Sequence, residues 1–401
     1  LGALGLGIIV AVLFGIAVIN DWEAIDGLIV ALVLLLVISW IWSRLSLQRI
    51  GLRRELSTDR SRVGDTIEES LTLVNHSVLP KLWIEIRDYS SLPGHSISRA
   101  MHIRGKKSVS WTTATVCERR GRFRLGPIVA SSGDPFGLYQ QQRSIPGTHD
   151  LLVLPASIDV SSIPFPAEQL SGGATIHRVS PAVSPSIAGL REYVPGDPLN
   201  HISWNATARR GMMMVKEFEP DPTADIFLLV DLNDSSLRPI PATHPNQSSV
   251  LLDSTEEFAV AIAASLADRG LTDGRKVGLV VNRAMPVRIL PDSSQRQWLR
   301  IFETLAVATS FGHRPLDEAI SAEANRLSRM TTLIVITATR DDSWINAIRS
   351  LADRHIPVSV VLIDDVWGDD NGSDLDGLEQ AIVSARAKAI RYSTLNARVG
   401  P

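Results

Sequence analysis

The first 42 residues constrain this chain more than any other stretch. From Leu1 to Ile19 there is no charged side chain, and at 1.5 Å per residue such a run reaches about 28 Å, nearly a bilayer's hydrocarbon core. Asn20, Asp21, Trp22 and Glu23 break the run, and a second apolar stretch follows from Gly27 to Trp42. The pattern predicts a transmembrane helical hairpin over residues 1–50. Asp26 fits the headgroups at one interface, while Trp40, Trp42 and a snorkelling Arg44 fit the other. The alternative is a cleaved signal peptide followed by a buried helix, and the second span that follows at once argues against it.

Orientation comes from the flanks. Arg44, Arg49, Arg53 and Arg54 follow the second span, whereas the turn between the spans carries Asp21 and Glu23. The positive-inside rule then predicts a multi-pass protein of the inner (plasma) membrane, with the lipid bilayer as one partner and the bulk of the chain cytoplasmic. A single cysteine, Cys117, suits a reducing compartment and excludes a disulfide scaffold or a zinc ribbon. Lys+Arg 40 against Asp+Glu 43 gives a net charge of -3, which supplies no global basic field, so nucleic acid is not an expected partner.

Between residues 51 and 155 the apolar period becomes two. Leu82, Ile84 and Ile86 alternate with Trp83, Glu85 and Arg87, and Val109, Trp111, Thr113 and Thr115 form a second alternating run. Turn signals at Gly64-Asp65, Asn75-His76-Ser77, Pro93-Gly94 and Arg104-Gly105 separate such runs, which predicts a β-sandwich-like domain. Arg119-Arg120-Gly121-Arg122-Phe123-Arg124 reads as an anion contact or as an edge strand kept soluble by charge, and the second is favoured. Residues 156–222 form a linker and a signature segment, Ser-, Pro- and Gly-rich as far as about Gly189.

Residues 223–401 alternate strands with amphipathic helices. Apolar runs at 226–230, 276–282, 332–338 and 357–363 are separated by helices expected at 254–270, 294–308, 315–329 and 343–355, with a last helix at 375–388. Near-continuous apolar strands between helices predict a mainly parallel, Rossmann-like sheet covered on both faces. The fold class is therefore α+β multidomain: membrane hairpin, β-sandwich-like domain, C-terminal α/β domain.

In such a sheet, sites form at the carboxyl ends of the strands. Asp231, Asn233 and Ser235 follow the first central strand at the D-x-S-x-S spacing in which a carboxylate and two small oxygen donors can present to a hard divalent cation. The Asp-rich loop and the strand order resemble a von Willebrand factor A domain. Asn233 stands where that family has Ser, and Ala338 follows the strand where a second carboxylate is usual. The expectation is a degenerate site that binds Mg²⁺ weakly at best, or an Asx-type turn in which these groups cap the following segment.

Leu190-Arg191-Glu192-Tyr193-Val194-Pro195-Gly196-Asp197-Pro198, then His201-Ile202-Ser203-Trp204, Ala208-Arg209 and Val215-Lys216-Glu217, is the most specific stretch. The Pro-Gly-Asp-Pro turn is rigid. Arg191 and Arg209 flank it, with Glu192, Asp197 and Glu217 able to receive guanidinium groups. Arg191, Glu192, Tyr193, Gly196, Asp197, Trp204, Arg209 and Glu217 are read as a structural clasp. The stretch resembles the signature of the bacterial domain-of-unknown-function family 58, and the paired spans, Arg-Gly-x-Phe and Asp-Pro-Phe-Gly-Leu extend that resemblance along the chain. Ser203 replaces the Asp usual before the Trp.

No G-x-S-x-G elbow, H-E-x-x-H helix or P-loop occurs in the sequence, so no catalytic residues are assigned. Met212-Met213-Met214 reads as a partner surface or as strand core. The leading expectation is a non-enzymatic, membrane-anchored interaction or scaffold protein. The family resemblance implies a MoxR-type AAA+ ATPase partner in envelope-related assembly. The alternative is a metal-assisted hydrolase or a metal-dependent binding protein built on the Asp231 loop.

Overall fold

Two apolar helices open the chain in the computed structural model, which describes residues 2–19, 23–165, 187–193, 202–218, 225–239, 252–364 and 371–393. Two units are distinguished, Leu1–Ala156 and Ser157–Gly400.

In the first unit, helix α1 spans Ala3–Ile19 and helix α2 spans Glu23–Ser46. Residues 24–46 of α2 are long and apolar enough to cross a membrane, whereas α1, at 17 residues, is a shorter apolar helix. Their exposed faces carry Leu4, Phe14, Leu28, Leu34 and Ile38, the reverse of a soluble helix. The end of α2 is different. Ser39, Ser43 and Ser46 recur on one face and are buried, small enough to let the helix pack closely. Lys81 sets its Nζ 2.5 Å from the Leu45 carbonyl, so a cation caps the negative end of the helix. Burial lowers the Lys81 pKa.

The β strands follow directly: β1 Ile50–Leu56, β2 Arg60–Arg62, β3 Thr66–Asn75, β4 Lys81–Asp88, β5 Arg99–Ile103, β6 Ser108–Val116, β7 Gly121–Leu125, β8 Ile128–Gly133, β9 Gln140–Ile145 and β10 His149–Leu154. They form sheets of order β1-β3-β6, β5-β4-β8-β9 and β2-β10-β7. Leu71, Leu73 and Trp111 from the first sheet meet Ile84, Ile86, Ile103, Ile128 and Ile145 from the second in one core. The β6 alternation holds, with Trp111 and Thr115 buried. In β4 it fails at the start: pairing with β5 slips between Lys81 and Ile84, and Leu82 and Trp83 both face outward. A bulge adds a residue and flips everything before it. β7 is an edge strand with Arg122 and Arg124 exposed, as favoured for that half of the arginine run, whereas Arg119 and Arg120 precede the strand and Arg120 is buried.

The second unit begins with a strap. Ile158 N–H donates to Ser265 Oγ at 2.9 Å, Arg269 Nη1 donates to the carbonyls of Val160 and Ile163, and Phe165 is sealed beneath the guanidinium groups of Arg269 and Arg275. Residues 157–165, expected in the linker, are thus part of this unit. β11 (Ile187–Glu192) and β12 (Met214–Phe218) form an antiparallel pair, with helix α3 (Trp204–Arg210) between them in sequence.

The main sheet uses β13 (Asp225–Asp231), β14 (Val277–Asn282), β15 (Val287–Asp292), β16 (Thr331–Thr337), β17 (Val358–Asp364) and β18 (Lys388–Ser393) in the order β15-β14-β13-β16-β17-β18. Every pairing is parallel except β14 with β15. Helices α4 (Thr255–Thr272), α5 (Gln295–Val307), α6 (Leu316–Ala324), α7 (Ile345–Asp353) and α8 (Asn371–Ser384) connect the strands. Ser254 caps α4 through the Glu257 N–H, as the capping-box spacing predicts.

Two helices end earlier than their sequence patterns predict. The helix expected at 315–329 stops at Ala324. The helix expected at 375–388 ends at Ser384, because Arg386 adopts a left-handed φ of 61°. The chain then turns into β18, which buries Ile390 and Tyr392 alternately.

Candidate functional site

The order of the main sheet reverses direction between β13 and β16, and at such a switch point the loops leave a crevice beyond the carboxyl ends of the strands. Each strand around it ends in a polar residue: Asp231 on β13, Asn282 on β14 and Thr337 on β16. Parallel register sets Asp231 opposite Asn282 and brings Thr337 level from the other side. Thr337 Oγ1 donates to Asp231 Oδ2 at 2.8 Å, and Asn282 Nδ2 donates to Asp231 Oδ1 at 3.0 Å. The Asn233 N–H reaches the same Oδ1 at 3.3 Å, closing an Asx-type turn. Both carboxylate oxygens therefore have donors from within the chain. Burial pushes the Asp231 carboxyl up, against these hydrogen bonds, which pull it down.

Asn233 faces the other way. Its Oδ1 lies 3.0 Å from His313 Nδ1, and its Nδ2 donates to the Arg314 carbonyl, which also receives Asn282 Nδ2 at 3.1 Å. Gly312 N–H donates to Asp234 Oδ2 at 2.9 Å, and Ala284 N–H to the Phe311 carbonyl. The loop between α5 and α6 is thus laced onto the Asp231–Ser236 turn, leaving Phe311 exposed at its crest. The backbone of Ser235 lies in a 3-10 turn, Asp234–Ser236, and its side chain lies outside the described residues.

As a metal site this set fits poorly. The Asp231 oxygens and Asn233 Oδ1 already have partners, and a hard cation needs several oxygens free to turn toward it. Among the described residues no three His, Cys, Asp or Glu side chains gather as a ligand group. A cleft of about 420 Å³ lies beside β15 and α5, with Arg283, Arg300, Glu303 and Thr304 in its lining and Asp231 outside it.

Of the clasp residues, Arg191 in β11 pairs with Val215, and Glu217 in β12 with Gly189. The side chains of Arg191 and Glu217, and all of Gly196 and Asp197, lie outside the described residues. Glu192 is exposed, Tyr193 is half-buried and donates its N–H to the Met213 carbonyl, and Trp204 and Arg209 are exposed on α3. The methionine triplet divides: Met212 and Met213 are exposed, while Met214 is buried.

A charged cluster that the sequence reading did not anticipate lies inside the first unit. Arg54 of β1 pairs with Glu69 of β3 and, at 2.5 Å, with Asp88 of β4. His95 Nε2 lies 3.2 Å from Glu69 Oε2 and 3.1 Å from Asp88 Oδ2, and its Nδ1 lies 3.0 Å from Thr115 Oγ1. Arg54, Glu69, Asp88 and His95 have side chains only 1–2% exposed. Burial would lower the pKa of His95, but the hydrogen bonds and charges of Asp88 and Glu69 raise it to about 9. Asp88 is held low, burial being outweighed by His95 and Arg54. Two cations and two anions so balance, tying together the two sheets of the core. The available sequence signal was a lone Glu69 among the alternating apolar residues of β3.

Residues 189–367 match the family described as "Protein of unknown function DUF58". The uncharacterized protein YeaD of Bacillus subtilis is 24% identical over 299 residues, covering 71% of this chain and 69% of YeaD. Among solved structures, a CARDB domain from Pyrococcus furiosus is similar at a TM-score of 0.21 and 16% identity, over 27% of this chain and 96% of that domain. The sporulation control protein Spo0M of Bacillus subtilis follows at 0.19 and 8%, over 27% and 50%. Both structural likenesses are remote.

Proposed function

We propose that this chain, part of which matches DUF58, is a membrane-anchored interaction protein of scaffold type. In this reading α1 and α2 form a hairpin in the inner membrane, the residues after Arg44 face the cytoplasm, and the α/β unit is von Willebrand factor A-like. Its rim at the Asp231–Ser236 turn and the 309–314 loop receives a protein partner. The family resemblance suggests a MoxR-type AAA+ ATPase, acting in envelope-related assembly.

The observation that carries the reading is the closure of Asp231 by Thr337, Asn282 and the Asn233 N–H. A carboxylate spent on holding three strands and a loop in place supports recognition by shape rather than chemistry on a substrate. The sheet order supports the A-domain comparison, and the arginines after α2 support the orientation.

Co-purification of the detergent-solubilised chain with the ATPase, with and without ATP and Mg²⁺, tests the partner. Capture that falls at least tenfold in Phe311→Ala supports docking at this rim, and no capture in either nucleotide state overturns the ATPase assignment. A micromolar, stoichiometric Mg²⁺ isotherm abolished by Asp231→Ala would favour the metal-dependent alternative. For orientation, a cysteine at Asp21 should react with an impermeant thiol reagent in intact cells, while one placed at exposed Thr66 should not.

A further inference from the structure

The β unit carries a second apolar surface, beside the end of α2. The β4 bulge turns Leu82 and Trp83 outward, and the preceding β3–β4 turn raises Val78 and Leu79 beside them; these four are 53%, 42%, 75% and 45% exposed. The patch borders the helix end itself. Trp42 and Leu45 of α2 share a small crevice with Leu79, Pro80 and Leu82, and Lys81, between the exposed residues, is fastened to the Leu45 carbonyl. Trp40 lies on the same last turns of α2, with the Arg44 guanidinium 5.5 Å from its ring centre.

Basic residues frame this patch. Lys106 N–H donates to the Ser77 carbonyl at 2.9 Å and Asn75 N–H to the Lys107 carbonyl at 2.9 Å, so the β5–β6 turn lies against the β3–β4 turn. Gly105 is required there, since a Cβ would land on the Val78 carbonyl. On the other side, His76 N–H donates to the Arg49 carbonyl at 2.9 Å. Arg44, Arg49, Arg104, Lys106 and Lys107 are exposed. The three segments 44–50, 76–83 and 101–108 contain no carboxylate.

Exposed Val, Leu and Trp inside a ring of Arg and Lys match the two layers of a membrane surface. Apolar side chains and an indole enter the acyl and headgroup boundary while cations meet anionic phosphates. A soluble face would pair its charges in both signs and bury such a patch. We infer that the β3–β4 turn and the β4 bulge rest in the bilayer interface around α2, with the Arg104–Lys107 turn on anionic headgroups. This rests on α2 crossing the membrane and goes beyond it, since a helix can anchor a domain that never touches lipid.

The test places an environment-sensitive fluorophore at Val78→Cys in the full chain reconstituted into vesicles. A control label goes at Thr66→Cys, which lies at the far end of β3, about 30 Å away at 3.3 Å per residue. Native Cys117 is buried and stays unlabelled. The expected result is quenching of the Val78 label, and not the Thr66 label, by brominated acyl chains. Quenching should be stronger in phosphatidylcholine with phosphatidylglycerol than in phosphatidylcholine alone. Lys106→Glu with Lys107→Glu should reduce it to the level of neutral vesicles. If the chain resists alkaline carbonate extraction yet the two labels are quenched equally, the surface contact is overturned and the span survives. Release by carbonate overturns the span and this inference with it. Quenching at Val78 that ignores lipid charge and the reversed lysines overturns the headgroup assignment.

Discussion

Replacing His95 with glutamine removes one positive charge from the closed cluster of Arg54, Glu69 and Asp88, and the effect can be worked out in advance. The His95 pKa is raised from 6.5 to about 9, and a shift of about 2.5 units corresponds to about 3.4 kcal/mol in favour of the charged form. A raised folded-state pKa contributes stability that is complete below the unfolded value and lost as pH rises through the folded one. The window is therefore about pH 6.5 to 9, with roughly 2.5 kcal/mol present at pH 7 and almost none at pH 10. His95→Gln should cost about 2.5 kcal/mol at pH 7 and less than about 1 kcal/mol at pH 10, where only a neutral hydrogen bond is lost. Cys117 is the single cysteine and is buried in the same unit, so a brief thiol-labelling pulse across a urea series reports on this unit alone. Burial raises the Cys117 pKa, a contribution common to both proteins that cancels in their difference. A cost that is the same at pH 7 and pH 10 would refute the assignment of His95 as a buried cation.

Two further outcomes concern the α/β unit. Thr337→Val leaves an oxygen of buried Asp231 without its 2.8 Å donor and should cost about 1–3 kcal/mol at neutral pH. Because burial holds the Asp231 carboxyl up, the protonated form needs that donor less. The cost should therefore shrink as pH falls through the raised value, as read from amide hydrogen exchange in β13 and β16 across a urea series. Gly278→Ala in β14 would set a Cβ 2.7 Å from the Phe227 ring and 3.0 Å from the Ile289 carbonyl. A loss of about 1–3 kcal/mol is expected, and an unchanged unfolding midpoint would show that the strand relaxes freely.

What could be read from the sequence was whatever depends on local pattern. The apolar run of α2, the alternation in β6, the Ser254 cap and the apolar strands of the main sheet all announce themselves within a dozen residues. Less legible was anything set by pairing. The outward turn of Leu82 comes from a slip against β5, which their own alternation cannot show. β18 was hidden because its Ile390 and Tyr392 follow a helical stretch with only Ala385-Arg386-Ala387 between. At the candidate site, Asp231 was readable from its place after an apolar strand. Asn282 and Thr337 carried the same signal, a polar residue ending an apolar run, but their convergence depends on strand order. The charged cluster draws Arg54, Glu69, Asp88 and His95 from four distant segments, and no spacing rule joins them.

Between α2 and β1 there are only three residues, Leu47 to Arg49, with the Leu45 carbonyl fastened to Lys81 and Leu47 sealed in the β core. A Gly/Ser tether at this point would act as a soft spring, letting the folded β unit wander about its anchor. Here helix and β unit make a shaft and head with no play at the joint. A tilt of the helix is passed directly into the attitude of the β unit. Force applied to that unit reaches the helix as torque, because there is no slack chain to take it up.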